Sequence, residues 1–189
     1  RAEELASYCE QKFAEVQAAV AQVEDDEKIS VYYAEGPDGL YTDSEDSQHA
    51  LTFLLAGADN VAKGIDVIRY GQTPVNMERV IQWNPEVIFA IDEDNGGCSE
   101  FIVQDSDWSE IQAVRDGRVY TIPYAPFTWA DKPPGVNRLI GIMWVANVLY
   151  PQYYDVDMVE VAKEFYQKMY WVDITDEQAK DLLGNSYTA

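Results

Sequence analysis

Residues 126–151 read PFTWADKPPGVNRLIGIMWVANVLYP, and this stretch decides how the rest of the chain folds. Its second half predicts a helix from Val136 onward that is apolar almost all the way round, and such a helix must be covered by protein on most sides. Tyr150 and Pro151 end this helix, because the residue before a proline is pushed out of the helical region. The first half predicts a loop with charged side chains and an exposed aromatic, Trp129. A polar loop mounted on a buried helix is typical of a binding site.

Composition and charge indicate an acidic globular protein. Its 189 residues are 47% hydrophobic and 13% aromatic, so the chain can bury the core of one compact domain. The 13 basic and 34 acidic residues give a formal net charge of -21. This charge repels the phosphates of nucleic acids and anionic membrane surfaces, so we expect neither as a partner. A surface adapted to high salt is an alternative origin of the charge.

Two cysteines, Cys9 and Cys98, lie far apart in sequence and lack the spacing of metal ligands. Free thiols are favoured over a disulfide, although the residues leave the pairing open. The longest apolar run is too short to cross a membrane and is interrupted by Asn147. The chain starts with Arg1 inside a predicted helix, without an initiator methionine or a signal peptide. We interpret it as a piece of something longer.

Strands and helices alternate along the chain. Periodicity and capping residues predict a helix over 1–24, a strand over 29–34, a helix from Thr42 to Gly57 with Thr42 and Glu45 as its capping box, a short helix capped by Asn76, a strand over 87–91, a short helix over 108–114, a strand over 118–122, the buried helix, a helix over 157–170 and a last helix capped by Thr175. This order predicts a three-layer α/β/α fold with a mostly parallel sheet covered on both faces.

Ligands of open parallel sheets contact the loops at the carboxyl ends of the strands. Three loops qualify, over residues 35–42, 92–97 and 124–137. Six residues at or beside them are candidate ligand contacts, namely Trp129, Arg138, Tyr41, Tyr33, Tyr124 and Asn95. Trp129 is the first choice. The aromatic side chains can stack on a ligand or donate hydrogen bonds, and the asparagine amide can do the latter. Their alternative roles are packing for the aromatics and a plain turn for Asn95.

Arg138 lies in the first turn of the buried helix, where a cation is unfavourable for the helix dipole. Either a nearby acid or an anionic ligand must compensate it, and Asp131 is the simplest partner.

Metal-binding and catalytic patterns are not recognisable. The acidic run over 92–94 lacks the spacing of a calcium-binding loop, so we predict no metal site there. His49 is the single histidine and is expected to be a packed or solvated helix residue rather than a haem ligand. The chain has no G-x-S-x-G elbow, glycine-rich phosphate loop or C-x-x-C motif. We therefore expect neither an enzyme nor a bound cofactor.

Three stretches together resemble one protein family. They are WNPEVIF at 83–89, WSEIQAVRDGRVYTIP at 108–123 and GIMWVANVLYP at 141–151. In this order and spacing they resemble the carboxyl-terminal lobe of periplasmic binding proteins of ABC importers. Members carry iron–siderophore complexes, haem, cobalamin and, in one branch, molybdate or tungstate. The resemblance extends over residues 29–170.

The resemblance implies a division of the chain and a set of partners. Residues 1–27 would be the end of the helix that joins two lobes and 28–189 the carboxyl-terminal lobe, with the amino-terminal lobe missing. Ligand would lie in the cleft between the lobes. Glu78 matches the family's acidic residue that docks to arginines of the membrane permease, although stabilisation of a helix start is its alternative role. The protein would be extracytoplasmic and, in full form, lipid-anchored.

These observations favour a solute-binding component that captures a metal chelate without breaking bonds in it. A ferric siderophore is the preferred ligand class. Molybdate or tungstate, haem and cobalamin are the alternatives within the family. An alternative of another class is a free-standing α/β interaction or regulatory module that binds no small ligand.

Overall fold

Parallel strands form the centre of the fold, which is known from a computed structural model that describes residues 1–66 and 71–187. The strands in the described residues are β1 (Ser30–Ala34), β2 (Tyr41–Thr42), β3 (Asp59–Asn60), β4 (Thr73–Pro74), β5 (Val87–Ala90) and β6 (Val119–Thr121). The main sheet has the order β3-β1-β5-β6, and every neighbouring pair in it is parallel. β2 and β4 form a separate antiparallel ribbon.

Helices lie before, between and after these strands. The α-helices of the described residues are α1 (Ala2–Val20), α2 (Leu51–Leu55), α3 (Met77–Trp83), α4 (Ser99–Gln104), α5 (Gln112–Arg115), α6 (Asn137–Leu149), α7 (Met158–Tyr170) and α8 (Asp176–Leu183). None of the helices in the described ranges has the length and apolar character needed to cross a membrane.

The sheet separates two apolar cores, because successive side chains of a strand point to opposite faces. Val31 and Tyr33 of β1 face one core, which contains buried side chains of α1, α2, α6, α7 and α8. Tyr32 and Ala34 face the other core, which contains side chains of α3, α4 and α5. The predicted three-layer α/β fold with a parallel sheet is therefore confirmed. The division into 1–27 and 28–189 stays a prediction.

Helix α6 is the buried helix that the opening stretch predicted. Residues 140–146 are all buried, and the helix ends at Leu149 before Tyr150 and Pro151. Gly141 allows the preceding loop to cross the helix, because a Cβ atom at this position would lie 1.8 Å from the Trp129 carbonyl oxygen. The loop over 124–136 is thus held directly against α6.

Local capping signals located the starts of α3 and α8 and misplaced one helix start. Asn76 caps α3 by accepting a hydrogen bond from the Arg79 N–H at 2.9 Å, Asp157 caps α7, and Thr175 forms the predicted capping box of α8. The predicted helix start at Thr42 is wrong, because Thr42 pairs in the β2–β4 ribbon. Ser47 caps the single 3-10 turn Gln48–Ala50 that precedes α2.

Two other expectations differ from the structure. The predicted helix over 108–114 is instead a 3-10 turn, Ser106–Trp108, followed by the short helix α5. The break lies at Ile111, which is extended and fully buried, so packing of this side chain interrupts the helix. Helix α4 was not predicted.

Cys9 and Cys98 are free thiols, as the sequence favoured, and Cys98 is buried.

Candidate functional site

A cavity of about 100 Å³ lies at the edge of the sheet where β1 and β5 end. Its walls come from all three loops that follow the parallel strands β1, β5 and β6, and from Gln72, which directly precedes β4. The lining residues are Glu35, Gly36, Gln72, Ile91, Asn95, Gly96, Gly97, Tyr124 and Lys132. Parallel pairing brings these loops to one edge, although up to 97 residues separate their members in sequence.

Glu35 is the first residue after β1 and is only 3% exposed. Lys132, from the loop that follows β6, donates a hydrogen bond to its Oε1 atom. The second oxygen, Oε2, has no hydrogen-bond partner among the described residues. Burial raises the pKa of Glu35 to about 8; the Lys132 ammonium lowers this pKa and the Asp43 carboxyl raises it. Burial and the neighbouring Asp43 thus favour the protonated form of Glu35, whereas Lys132 favours the ionised form.

Asp43 is a second buried acid beside Glu35. Its Oδ1 atom accepts a hydrogen bond from the Ser47 hydroxyl at 2.9 Å, and its backbone carbonyl accepts one from the Asn60 amide at 3.0 Å. Its Oδ2 atom lacks a partner within residues 1–66 and 71–187. The chain also passes close to this oxygen, since a Cβ atom added to Gly71 would lie 2.8 Å from it. Asp43 is thus fixed in place with one oxygen unsatisfied.

Asp131 holds together three segments at the same end of the molecule. It is fully buried and accepts hydrogen bonds from His49 Nδ1 and from Arg138 Nη2. The same Arg138 nitrogen donates to the Gln48 carbonyl at 2.8 Å, whereas its buried Nε atom has no partner in the described part of the chain. Asp131 therefore joins the loop to the first turn of α6 and to the turn before α2. The predicted pairing of Arg138 with Asp131 is confirmed.

Trp129 does not lie at the surface, so the expectation of an exposed aromatic is wrong. Its side chain is 0% exposed, its indole N–H donates to the Tyr166 hydroxyl at 3.2 Å, and its ring lies edge-on to Trp144. The close passage of the loop over Gly141 directs this side chain into the core between α6 and α7. The indole consequently has no free face for a ligand in this structure.

The other predicted contacts divide between core and cavity. Tyr33 is 1% exposed, and its ring packs against Phe53 with the ring centres 4.9 Å apart, which matches its alternative role in packing. Tyr124 and Asn95 line the cavity. The Asn95 amide also donates to both carboxylate oxygens of Asp92, as a turn residue does. Tyr41 is 38% exposed.

Tyr41 covers Gly36 at the rim of the cavity. A Cβ atom added to Gly36 would lie 2.7 Å from the tyrosine ring.

Glu78 is exposed in the first turn of α3. Within the described residues, no group of three or more histidine, cysteine, aspartate or glutamate side chains is arranged to hold a metal ion.

Glu35, Asp43 and Lys132 were not predicted as site residues, and His49 was predicted to be packed or solvated. A signal was available for Glu35, because an acid directly after a fully apolar strand must either point to solvent or find a buried partner. No comparable signal identifies Asp43. Its burial depends on the β2–β4 ribbon and on the close approach of Gly71.

The family model described as "Periplasmic binding protein" matches residues 1–126 of this chain. Over 152 residues the chain is 33% identical to the molybdate-binding protein MolA of Haemophilus influenzae, a match that covers 80% of this chain and 41% of MolA.

Solved structures of solute-binding proteins are also similar to this chain. An ABC transporter solute-binding protein from Sulfurospirillum deleyianum is similar with a TM-score of 0.90 and 32% identity, over 96% of this chain and 55% of that one. MolA of Haemophilus influenzae bound to molybdate is similar with a TM-score of 0.74 and 29% identity, over 92% of this chain and 51% of that one. The chain spans about half the length of these relatives.

Proposed function

Since this chain belongs to the periplasmic binding protein family, we propose that it forms one lobe of a solute-binding component of an ABC importer. The carboxyl edge of its sheet is the wall of a cleft, and a second lobe supplies the opposite wall. This proposal is supported by the match to solute-binding proteins over half their length and by the cavity at this edge. The role is capture and delivery, and no bond in the ligand is broken.

The ligand that the site suits best is a small oxoanion such as molybdate, rather than the ferric siderophore that the sequence favoured. The relative with 33% identity is a molybdate-binding protein, and this match carries the proposal. Trp129 and Tyr33, which would have stacked on a chelate, are buried in the core.

Two cationic side chains favour an anionic ligand at this site. Lys132 lines the cavity, and Arg138 lies six residues further along the same loop and helix start. Ammonium and guanidinium groups donate charge-assisted hydrogen bonds to oxoanions.

The importer context adds a partner and a location. A membrane permease receives the ligand, and the protein works outside the cytoplasm, where a lipid anchor keeps it near that permease. Glu78 is the candidate docking residue on this lobe, because it is exposed on α3 and matches the acidic docking position of the family. α3 leads into β5 through a short turn, which directs the start of the helix towards the carboxyl ends of the strands.

A titration tests the ligand class. The protein, expressed from its complete reading frame, is titrated calorimetrically with molybdate, tungstate, sulfate, a ferric siderophore, haem and cobalamin. We expect saturable binding of molybdate and tungstate, weakened about 10-fold or more in Lys132→Ala and in Arg138→Ala, because each loses a charge-assisted hydrogen bond.

Lys163→Ala and Arg115→Ala are the matched controls, because these cations lie on α7 and α5 and pair with groups remote from the cavity. They should bind as the unchanged protein does. Saturable binding of the siderophore alone would reject the oxoanion and identify a ferric siderophore as the ligand class. No saturable binding of any of these ligands would favour the free-standing interaction module.

A further inference from the structure

Lys132 is an anion-binding group in the proposed function, and in this structure its partner is the Glu35 carboxyl. We propose that Glu35 is a proton-gated counter-ion of Lys132. With its proton, Glu35 leaves the positive charge of Lys132 available to an anion. Without its proton, Glu35 competes with the anion and repels it. This inference rests on the proposed function of the cavity as an anion site.

The contacts of Glu35 leave one place for a proton. Oε1 faces Lys132, and Oε2 is buried without a partner among the described residues. Asp43 stands beside it, and its Oδ2 atom is equally buried and unpaired. Two adjacent carboxyl groups in a buried site cannot both be ionised without a large electrostatic cost. A proton on Glu35 removes that cost.

The other groups around Glu35 do not supply this proton. Among the described residues, the titratable groups that interact with it are Lys132 after β6, Asp43 after β2, Tyr32 and Tyr33 on β1, and Cys98 before α4. Burial raises the pKa of both tyrosines well above their usual range and that of the Cys98 thiol to about 12. These three groups stay neutral around pH 8. Within residues 1–66 and 71–187, the charge that changes there belongs to Glu35.

The pH dependence follows with a definite sign. The pKa of Glu35 is about 8, raised by burial and by Asp43. Below pH 8 the carboxyl is neutral, and anion affinity should be nearly independent of pH. Above pH 8 the anion binds only after Glu35 takes up a proton, so affinity should fall by up to about 10-fold per pH unit. Molybdate itself remains a dianion over this range.

The test is a molybdate titration of the protein expressed from its complete reading frame, at pH 6.5, 7.5, 8.5 and 9.5. Affinity should fall about 10-fold between pH 8.5 and 9.5 in the unchanged protein. Glu35→Gln cannot ionise, so its affinity should stay flat and exceed that of the unchanged protein at pH 9.5. Glu100→Gln, a change of an exposed acid on α4, should retain the fall.

Calorimetry in two buffers of different ionisation enthalpy should detect proton uptake on binding at pH 9 in the unchanged protein and none in Glu35→Gln. Asp43→Asn removes the neighbouring charge, so the fall should begin at a lower pH. A Glu35→Gln profile that parallels the unchanged protein would overturn the inference and leave the proposed anion site intact.

A measurement without ligand separates the two proposals. Carboxyl carbon NMR shifts, assigned by comparison with Glu35→Gln, should show Glu35 titrating near pH 8 in the free protein and lower in Asp43→Asn. Titration of Glu35 near its ordinary pKa of 4.5 would overturn the inference whether or not molybdate binds. If Glu35 titrates near pH 8 but the protein binds no oxoanion, the anion site is rejected, and with it the gating role.

Discussion

Asp131 shows, at the scale of a single residue, how a charged side chain is accommodated inside this protein. Its carboxylate is fully buried, and the His49 ring and the Arg138 guanidinium face its two oxygens. The side chains of both partners are about one-fifth exposed, so the cluster extends from the buried Asp131 to the protein surface. A buried charge of this kind is tolerated only while its partners remain.

Asp131→Asn tests the structural part of this cluster. The change leaves Arg138 and His49 without their carboxylate, and removal of one partner of a buried ion pair costs about 3–5 kcal/mol. The free energy of unfolding from urea denaturation should fall by about that amount. Asp116→Asn, in the exposed turn after α5, is the control and should change stability little. Equal stability of both variants would mean that the Asp131 cluster does not hold the loop.

Helix α6 and the loop that crosses it are the central unit at the scale of elements. Burial of residues 140–146 follows from their composition alone, so the helix was predictable. The position of Trp129 was not, because it depends on the contact between its own carbonyl and Gly141. An aromatic in a polar loop looks the same in sequence whether it folds inward or outward.

Gly141→Ala tests this contact. An added Cβ atom would lie 1.8 Å from the Trp129 carbonyl oxygen, so the loop must move away from α6. We expect a loss of about 3 kcal/mol in the free energy of unfolding, the upper part of the usual range for overpacking. Tryptophan fluorescence should also shift as the indole loses its packing. Gly135→Ala is the control, because a Cβ atom there has its nearest neighbour at 3.8 Å; equal effects would contradict the contact.

The exposed start of α3 carries the docking prediction. Glu78→Ala should leave molybdate affinity unchanged and reduce uptake into cells that carry the permease at least several-fold, because the acid contacts the transporter and not the ligand. Glu100→Ala is the matched control, since Glu100 is an exposed acid in the first turn of α4. Normal uptake with Glu78→Ala, or the same loss with both variants, would reject the docking role.

Capping motifs show how far local sequence determines these elements. Asn76 and Thr175 cap helices where the motif predicted, because each cap needs only neighbouring backbone groups. Thr42 carried the same signal and is instead part of a ribbon with Thr73. Pairing with a strand about 30 residues away overrode the local preference. Such pairing is invisible to a pattern read over a few residues.

At the scale of the whole molecule, the parallel sheet explains why the position of the three loops was predictable and the inward position of Glu35 was not. Alternation of strands and helices predicted three loops at one edge, and these loops line one cavity together with Gln72. The inward position of Glu35 was not predictable, because it depends on Lys132 from a loop 97 residues away. An isolated acid of this kind reads as solvated, so the charged part of the candidate site was missed.

The most direct test of the central claim, that the carboxyl edge of this sheet binds a small oxoanion, is a crystal structure of the protein, expressed from its complete reading frame, with tungstate. Tungsten gives a strong anomalous signal that locates the ion independently of the protein density. We predict one main peak at the cavity beside Glu35, with an oxygen of the anion about 2.8 Å from Lys132 Nζ. A peak remote from Lys132 and Arg138, or no peak at saturating tungstate, would contradict the account.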